Sequence, residues 1–281
     1  MPGKRSSSGS LWIILSLVLL FAFALIFYAG KMPGSPVGHV VSSHDTTTST
    51  LSADRSNITI ASWNLQRFGP DKSGDASMMS YYAGVLRNYD IIILQEITDS
   101  SGDAFRRLCA LLPEYACYVS ARLGNSSYKE QYGLIYRNAK LEAVAPGTGA
   151  YTRPPYTYRF SSGEWSFYLT TVHTDPDNVK AELALLEEDL GSFDSTDHII
   201  IGDLNADCAY YQMPPADFTG WDWIIPDDED TTVKASSCAY DRIIINNGAA
   251  NNYISYGMMR NVSSGKSDHY LVYSVYRTDA A

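Results

Sequence analysis

The sequence carries little positive charge for its length. It has 21 lysines and arginines against 31 aspartates and glutamates, so its net charge is −10 at neutral pH. Proteins that coat nucleic acid with a broad basic surface need clustered Lys and Arg to neutralise phosphates. The charge deficit argues against that class. It allows a metal-dependent phosphodiesterase, because there a bound cation supplies the positive charge and carboxylates hold the cation.

Several common motifs are also missing. The chain has no Cys-x-x-Cys pair of the zinc-site type and no G-x-S-x-G elbow of a serine hydrolase. The Gly-Lys-Ser at 265–267 lacks the earlier glycine of a phosphate loop, since Arg260 stands there, and it leads into a strand pattern. Ser267, Asp268 and His269 are sequence neighbours whose side chains diverge along a strand, so they form no catalytic triad.

The first 56 residues differ in composition from the rest. Residues 1–10 include two basic side chains, and residues 11–30 contain no charge over a length that can span a bilayer. We expect an uncleaved anchor with residues 1–10 in the cytoplasm and the remainder outside. A cleaved signal peptide, which would give a secreted protein, is the alternative. Residues 31–56 are rich in Ser, Thr, Gly and Pro, which predicts a flexible linker before a catalytic domain at 57–281.

Short runs rich in Ile and Val predict buried strands with polar residues at their ends. Such runs end at or near Asn64, Glu96, His173, Asp203 and Asn205, or begin at Asp241, Asp268 and His269. Antiparallel strands can bring starts and ends to one rim. The clearest helical pattern spans 175–191, with Asp175 as the expected N-cap and Gly191 at its end. Alternating strands and helices predict mixed sheets covered by helices.

The polar residues at these strand ends are rich in oxygen, which suits magnesium or manganese better than zinc or copper. Of five histidines, His39 and His44 lie in the expected linker, and His198 opens a strand far from that strand's acidic end. His173 and His269 remain. Two imidazoles at one rim beside carboxylates fit general acid and general base catalysis on a phosphodiester.

Eight motifs occur along the chain in a diagnostic order: SWNLQRFG, ILQEI, NSSYKEQYGLIYR, TTVHTDP, IGDLNADCAYY, WIIPDDEDTT, CAYDRIII and SDHYLV. With this set the chain closely resembles the deoxyribonuclease I family of the endonuclease/exonuclease/phosphatase superfamily, from about Ile58 to Tyr276. The resemblance implies a four-layer α-β sandwich of two mixed β-sheets with outer helices. It also implies an Mg²⁺- or Mn²⁺-dependent endonuclease that cuts DNA to 5′-phosphate products.

The resemblance also implies a role for each residue that matches a family motif. The implied metal ligands are Glu96, Asn64 and Asp268. The implied acid and base are His173 and His269, oriented by Glu130 and Asp241, and the phosphate is positioned by Asp203 and Asn205, with a second ion as a further option. The implied substrate contacts are Tyr128, Lys129, Arg153 and Tyr240. Which histidine is the acid and which is the base stays open.

The four cysteines are an even set that suits an oxidising compartment. By resemblance, Cys208 and Cys238 form a disulfide, which would stabilise the fold by roughly 3 kcal/mol. Cys109 and Cys117 match no family cysteines, so they are either a second pair or two buried thiols.

The chain departs from the family at positions that concern substrate and calcium. The two arginines that face the minor groove in the family fall on Gln66 and Thr98, which puts the preference for duplex DNA in question. One family calcium site is replaced by a segment without acidic ligands at its centre. The other resembles Asp230 and Thr232, but Lys234 stands at an expected ligand position, where an ammonium would repel or replace the ion. Calcium binding there stays open.

Three functions compete on these observations. The leading hypothesis is a membrane-tethered endonuclease facing outward, with DNA as substrate and no obligate protein partner. The second is a phospholipid or sphingolipid phosphodiesterase of the same superfamily, suggested by the expected anchor and the missing arginines. The third is a non-catalytic nucleic-acid-binding module, against which the complete set of His, Asn, Asp and Glu speaks.

Overall fold

The computed structural model describes residues 39–40, 56–191 and 196–279. The expected cytoplasmic segment, the expected anchor and most of the expected linker lie outside the described residues, so those three assignments stay predictions. Within the described ranges, no helix is both long enough and apolar enough to cross a bilayer.

Thirteen strands and five helices are numbered in chain order over the described ranges. The strands are β1 (His39–Val40), β2 (Asn57–Phe68), β3 (Ile91–Ile97), β4 (Ala116–Val119), β5 (Gln131–Tyr136), β6 (Lys140–Pro146), β7 (Tyr156–Ser162), β8 (Trp165–Thr171), β9 (His198–Asp203), β10 (Asp222–Trp223), β11 (Asp241–Ile245), β12 (Tyr253–Met259) and β13 (Leu271–Arg277). The helices are α1 (Pro70–Gly74), α2 (Ala76–Leu86), α3 (Asp103–Ala110), α4 (Val179–Leu190) and α5 (Asn247–Ala250).

The described strands form two mixed β-sheets. The first is seven-stranded with the order β1-β4-β5-β3-β2-β13-β12, and the second is six-stranded with the order β10-β11-β9-β8-β7-β6. In the first sheet β2 and β3 run parallel, and in the second β8 and β9 do; the other neighbouring strands are antiparallel. The expected mixed sheets are confirmed.

The side chains of β3 point alternately into two different cores, which explains why its sequence is apolar at successive positions. Ile91 and Ile93 pack into the core between the two sheets, whereas Ile92 and Leu94 pack into a second core on the outer face. Successive side chains of a strand point to opposite faces, so a strand covered on both sides needs apolar residues at every position. In β9, Ile200 likewise points outward from its two neighbours.

Helices cover both outer faces of the sandwich. Tyr82 and Leu86 of α2 and Phe105 of α3 pack on the first sheet. Leu183 and Leu186 of α4 pack on the second sheet. The layers are therefore helix, sheet, sheet and helix, as the sequence predicted.

Two predicted element boundaries are wrong. The helix α4 begins at Val179 with Asn178 as its N-cap residue, so Asp175 is not the N-cap. The Asp175 carboxylate instead accepts hydrogen bonds from the Asp177 amide at 3.1 Å and the Thr152 hydroxyl at 3.0 Å, which hold a turn before the helix. Likewise β13 begins at Leu271, because the residues before it form the loop that leads into the site.

Two links outside the sheets tie the ends of elements together. Cys208 and Cys238 form the expected disulfide, with their Cα atoms 5.9 Å apart. Cys109 and Cys117 also form a disulfide, with a Cα separation of 6.4 Å, which settles the open alternative and joins α3 to β4.

Part of the expected linker pairs with the folded domain. The short strand β1 runs antiparallel to β4, with His39 opposite Val119 and Val40 opposite Tyr118. The first sheet therefore gains an edge strand from residues that sequence composition assigned to a tether.

A buried histidine on β9 makes stability depend on pH. The His198 side chain is fully buried, its Nε2 lies 2.7 Å from the Thr170 hydroxyl, and burial lowers its pKa from 6.5 to about 3. Below pH 6.5, His198 is therefore protonated in the unfolded chain but neutral in the folded protein, so the free energy of unfolding falls as the pH decreases. We expect His198→Gln to remove about 2 kcal/mol of the stability lost between pH 7.5 and 5.

Urea unfolding of both proteins at the two pH values measures this effect. The other histidines contribute the same pH dependence to both proteins, so the difference between the wild type and His198→Gln reports His198 alone. An equal pH dependence in the two proteins would show that His198 takes up its proton in the folded state as readily as in the unfolded chain.

Candidate functional site

The polar ends of the strands converge, as the sequence predicted. Asn64 lies within β2 and Glu96 near the end of β3, while Asp203 ends β9 and Asp241 begins β11. His173 follows β8 by two residues. Because β11 is antiparallel to β9, with Asp241 directly opposite Asp203, a strand start and a strand end meet at one rim.

The carboxylate of Asp203 lies between two imidazoles. Its Oδ2 is 3.5 Å from Nε2 of His173 and also 3.5 Å from Nε2 of His269. All three residues are buried. The Nε2 atoms of the two imidazoles therefore border the same small volume beside Asp203.

A second carboxylate holds each imidazole from behind. Nδ1 of His173 is 2.7 Å from Oε1 of Glu130, and Nδ1 of His269 is 2.8 Å from Oδ2 of Asp241. Glu130 and Asp241 are buried, with about 1% and 0% of their surface exposed. A carboxylate on Nδ1 fixes the ring and directs Nε2 toward the reaction. The two pairs stand where the sequence expected them.

The buried charges shift one another's pKa values. Burial alone would lower the pKa of His269, but the Asp241 and Asp203 carboxylates outweigh it and raise the pKa to about 10. Burial also opposes protonation of His173, and Glu130 with Asp203 raises its pKa nevertheless. For Asp203, burial favours the neutral acid, yet the two imidazoles pull its pKa below the ordinary value.

The Asn64 side chain donates hydrogen bonds to two carboxylates. Its Nδ2 donates to Oε1 of Glu96 at 3.0 Å and to Oδ2 of Asp203 at 2.9 Å. Its Oδ1 accepts the amide of Gln66 at 2.8 Å. Asn64 thus orients the expected ligand Glu96, and its own expected role as a metal ligand stays a prediction.

Asp268 is the second carboxylate expected to bind metal. Its Oδ1 is buried without a hydrogen-bond partner among the described residues, and its Oδ2 lies 2.6 Å from Nζ of Lys234. The ammonium marks a position that attracts a cation. A hard divalent ion prefers carboxylate oxygens, so Glu96 and Asp268 fit magnesium or manganese.

A tighter acidic cluster consists of Asp203, Asp241 and His269, which bring one ligand atom each within 4.8 Å of one another. Asp241 and His269 already share a hydrogen bond, and the second ion expected beside Asp203 stays a prediction.

Asn205 lies beside Asp203 at the exit of β9. Its amide nitrogen donates to Oδ1 of Asp203 at 3.2 Å, and its Nδ2 donates to the Thr174 carbonyl at 3.1 Å. Its φ of +48° is a left-handed value that Asn tolerates. The Asn205 side chain is thus fixed beside Asp203, and its expected role in positioning the phosphate stays a prediction.

The expected substrate contacts fall into two groups. Tyr128 is 41% exposed and donates to Oε2 of Glu96 at 3.2 Å, and Lys129 beside it is exposed. Tyr240 is half-buried next to Asp241. Arg153 is placed differently, because its guanidinium donates to the carbonyls of His173 and Thr174, the first at 2.7 Å.

The Arg153 guanidinium also lies 3.7 Å from Glu130. Its donors are therefore directed at the backbone and carboxylate that hold His173, and the structure gives it a supporting position behind the imidazole.

The expected calcium loop is closed by its own hydrogen bonds. Oδ1 of Asp230 accepts from the amide and the hydroxyl of Thr232, both at 3.0 Å. Lys234 turns away toward Asp268. The residues named for calcium thus lie together but bind each other, and the ion at this loop stays a prediction.

Sequence reasoning missed Lys72, whose ammonium links two backbone segments beside the site. Its Nζ donates to the Leu65 carbonyl at 2.7 Å and to the Lys266 carbonyl at 2.8 Å, joining β2 to the loop before Asp268. Burial lowers its pKa, against the attraction of Asp268 and Glu96. No local pattern marks it, because a lysine in a short helix is usually a solvated surface residue.

Comparison with known proteins gives consistent matches. The sequence profile of the endonuclease/exonuclease/phosphatase family matches residues 61–269. Deoxyribonuclease-1 of Homo sapiens is 31% identical over 257 residues, which covers 76% of this chain and 90% of the human protein. Deoxyribonuclease-1 of Gallus gallus is 29% identical over 228 residues, which covers 71% of this chain and 81% of the chicken protein.

Solved structures share the fold at lower identity. Humanized TDP2 of D. rerio superposes with a TM-score of 0.59 at 16% identity, over 79% of this chain and 99% of that one. The endonuclease/exonuclease/phosphatase from Bacteroides vulgatus gives 0.59 at 15% identity, over 79% and 98%. At such identities these two matches show the fold alone.

Gly202 allows the close approach that places Asp203. A Cβ at this position would lie 2.1 Å from the Val172 carbonyl oxygen, which is backbone and cannot give way. We expect Gly202→Ala to destabilise the fold by about 3 kcal/mol, at the upper end of the cost of overpacking, and to separate β9 from the segment that carries His173.

Urea unfolding measures the change, with Gly265→Ala as the matched control, since a Cβ at Gly265 meets nothing within 4 Å. Equal unfolding midpoints for the two variants would contradict this account of the β9 exit.

Proposed function

The chain belongs to the endonuclease/exonuclease/phosphatase family as a deoxyribonuclease I-like member, and from that premise we propose that it is a divalent-metal-dependent endonuclease. Its substrate is DNA, and its products carry 5′ phosphates. The more general activity of the chain, that of a nuclease or phosphodiesterase, follows from the family and its deoxyribonuclease relatives.

The observation that carries the proposal is the pair of buried imidazoles that face one carboxylate. Hydrolysis of a phosphodiester needs a base for the attacking water and an acid for the leaving oxygen. His173 and His269 present Nε2 atoms to the same volume, each 3.5 Å from Asp203. Each ring is also held from behind by its own carboxylate. The arrangement supports two proton transfers at one phosphorus.

The proposed reaction uses both imidazoles on opposite sides of the phosphate. One Nε2 takes a proton from water as the water oxygen bonds to phosphorus in line with the leaving group. The bond from phosphorus to the 3′ oxygen breaks, and the other imidazolium donates its proton to that oxygen. Asn205, held beside Asp203, would orient a phosphate oxygen, and Glu130 and Asp241 keep both rings aligned.

Glu96 and Asp268 are the residues that would hold the divalent ion, with Asn64 orienting Glu96. The ion would neutralise charge on the phosphate oxygens during attack. Such neutralisation is needed because the phosphate enters a volume bordered by carboxylates. An ion held by Asp268 would compete with the Lys234 ammonium, whose Nζ lies 2.6 Å from Oδ2 of Asp268.

The proposed location is the outer side of a membrane, reached through the anchor expected at residues 11–30. Two disulfides in the described residues agree with an oxidising compartment.

Removing either imidazole tests the proposal. We expect His173→Ala and His269→Ala each to reduce plasmid nicking by roughly 10²- to 10⁴-fold, the usual contribution of a general acid or base. The wild-type nicks should be sealed by a DNA ligase, because ligation requires a 5′ phosphate. The measurement is nicking of supercoiled plasmid with magnesium, with manganese and with chelator.

His198→Gln is the matched control, because His198 is equally buried but opens β9, whose other end carries Asp203. It should nick at the wild-type rate at neutral pH. Wild-type rates from both alanine variants, or undiminished nicking in chelator, would rule out the proposed mechanism.

A further inference from the structure

Two tyrosines form an aromatic platform beside the reactive residues. The rings of Tyr210 and Tyr240 lie 5.3 Å apart between centroids at an angle of 35°, and Tyr210 is 42% exposed. We propose that this platform and the cavity next to it bind an unstacked base of single-stranded nucleic acid. The inference rests on the proposed nuclease function and names the strand form that the site selects.

The platform is rigid before any ligand arrives. The disulfide joins Cys208 to Cys238, and each cysteine precedes a platform tyrosine by two residues. Asp207 adds a second link, since its carboxylate accepts the Ala239 amide at 2.7 Å. A surface held in its binding geometry loses little conformational freedom when a ligand binds.

A cavity of about 220 Å³ adjoins Tyr210. Met213 and Pro214 give it an apolar wall, and Lys180 and Gln212 add polar groups. Its volume equals that of about seven water molecules, which is room for one heterocyclic base. Gln212 can hydrogen-bond to a base edge, and the Lys180 ammonium can contact a flanking phosphate.

The platform lies next to the chemistry. Tyr240 immediately precedes Asp241, the carboxylate that holds His269. Lys234, whose ammonium is 2.6 Å from Asp268, is near enough to Tyr210 to interact with it electrostatically. A base on the platform would therefore belong to a nucleotide close to the phosphate being cut.

Exposed aromatic residues in this position favour a single strand. In a duplex each base is already stacked on its neighbours, whereas the bases of a single strand can stack on protein side chains. Among the described residues the exposed large apolar side chains are Leu111, Tyr128, Tyr210 and Ile254. Both tyrosines of this group lie at the site, because Tyr128 donates to Glu96.

Binding of labelled oligonucleotides tests the inference. All proteins carry His269→Ala and contain magnesium, so that the strand persists while its affinity is measured by fluorescence anisotropy. We expect Tyr210→Leu to weaken binding of a short single strand by about ten-fold, the effect of losing one base–aromatic stack. Tyr210→Phe should bind as the parent does, because the ring remains, and duplex binding should change little in either variant.

Ile254→Ala is the control for loss of an exposed apolar side chain, since Ile254 is 44% exposed and lies on β12. It should leave both affinities unchanged. Equal losses for single strand and duplex in Tyr210→Leu, or no loss for either, would overturn the inference. Plasmid nicking by the protein without His269→Ala is scored separately, so failure of the nuclease proposal and failure of the stacking site give different results.

Discussion

The attraction between the Asp203 carboxylate and two imidazoles is the interaction on which the site depends. Asp203 is almost fully buried, and burial alone would favour its neutral form. His173 and His269 lower the pKa of Asp203 against that tendency, and Asp203 with each ring's own carboxylate raises the pKa of the two imidazoles against burial. The pKa of each group thus depends on the others, so these properties exist only when the whole cluster is assembled.

The fold provides that assembly through the ends of strands from both sheets. Asn64 comes from the first sheet and Asp203 from the second, and they share a hydrogen bond of 2.9 Å across 139 residues of sequence. The indole of Trp63 likewise donates to the His269 carbonyl across 206 residues. The contact between Asn64 and Asp203 exists only after the two sheets pack face to face, whereas the Trp63 contact lies within the first sheet, where β2 pairs with β13. Burial of the isoleucines between the sheets therefore creates the site as well as the core.

The sequence predicted the site better than it predicted the details around it. Continuous apolar runs rich in Ile placed Glu96, Asp203 and Asp241 at strand ends, because a strand covered on both sides must be apolar until it leaves the core. The contact between Lys234 and Asp268 had no such signal, since it depends on how a loop folds back. The start of α4 was also missed, because Asp175 has the sequence pattern of a helix cap but its carboxylate holds a preceding turn.

The same buried charges bear on the proposed action of a strongly acidic protein on a polyanion. Glu130, Asp203 and Asp241 each lie against an imidazole, and the Arg153 guanidinium lies 3.7 Å from Glu130. Glu96 and Asp268 contact amide donors, a phenol and the ammonium of a largely exposed lysine, and Nε2 of His269 lies 3.8 Å from Oδ1 of Asp268. Glu96 and Asp268 are also among the residues expected to bind the metal. A phosphate approaching Glu96 and Asp268 would be repelled by their charge, which is why the proposed nuclease is expected to need a cation there.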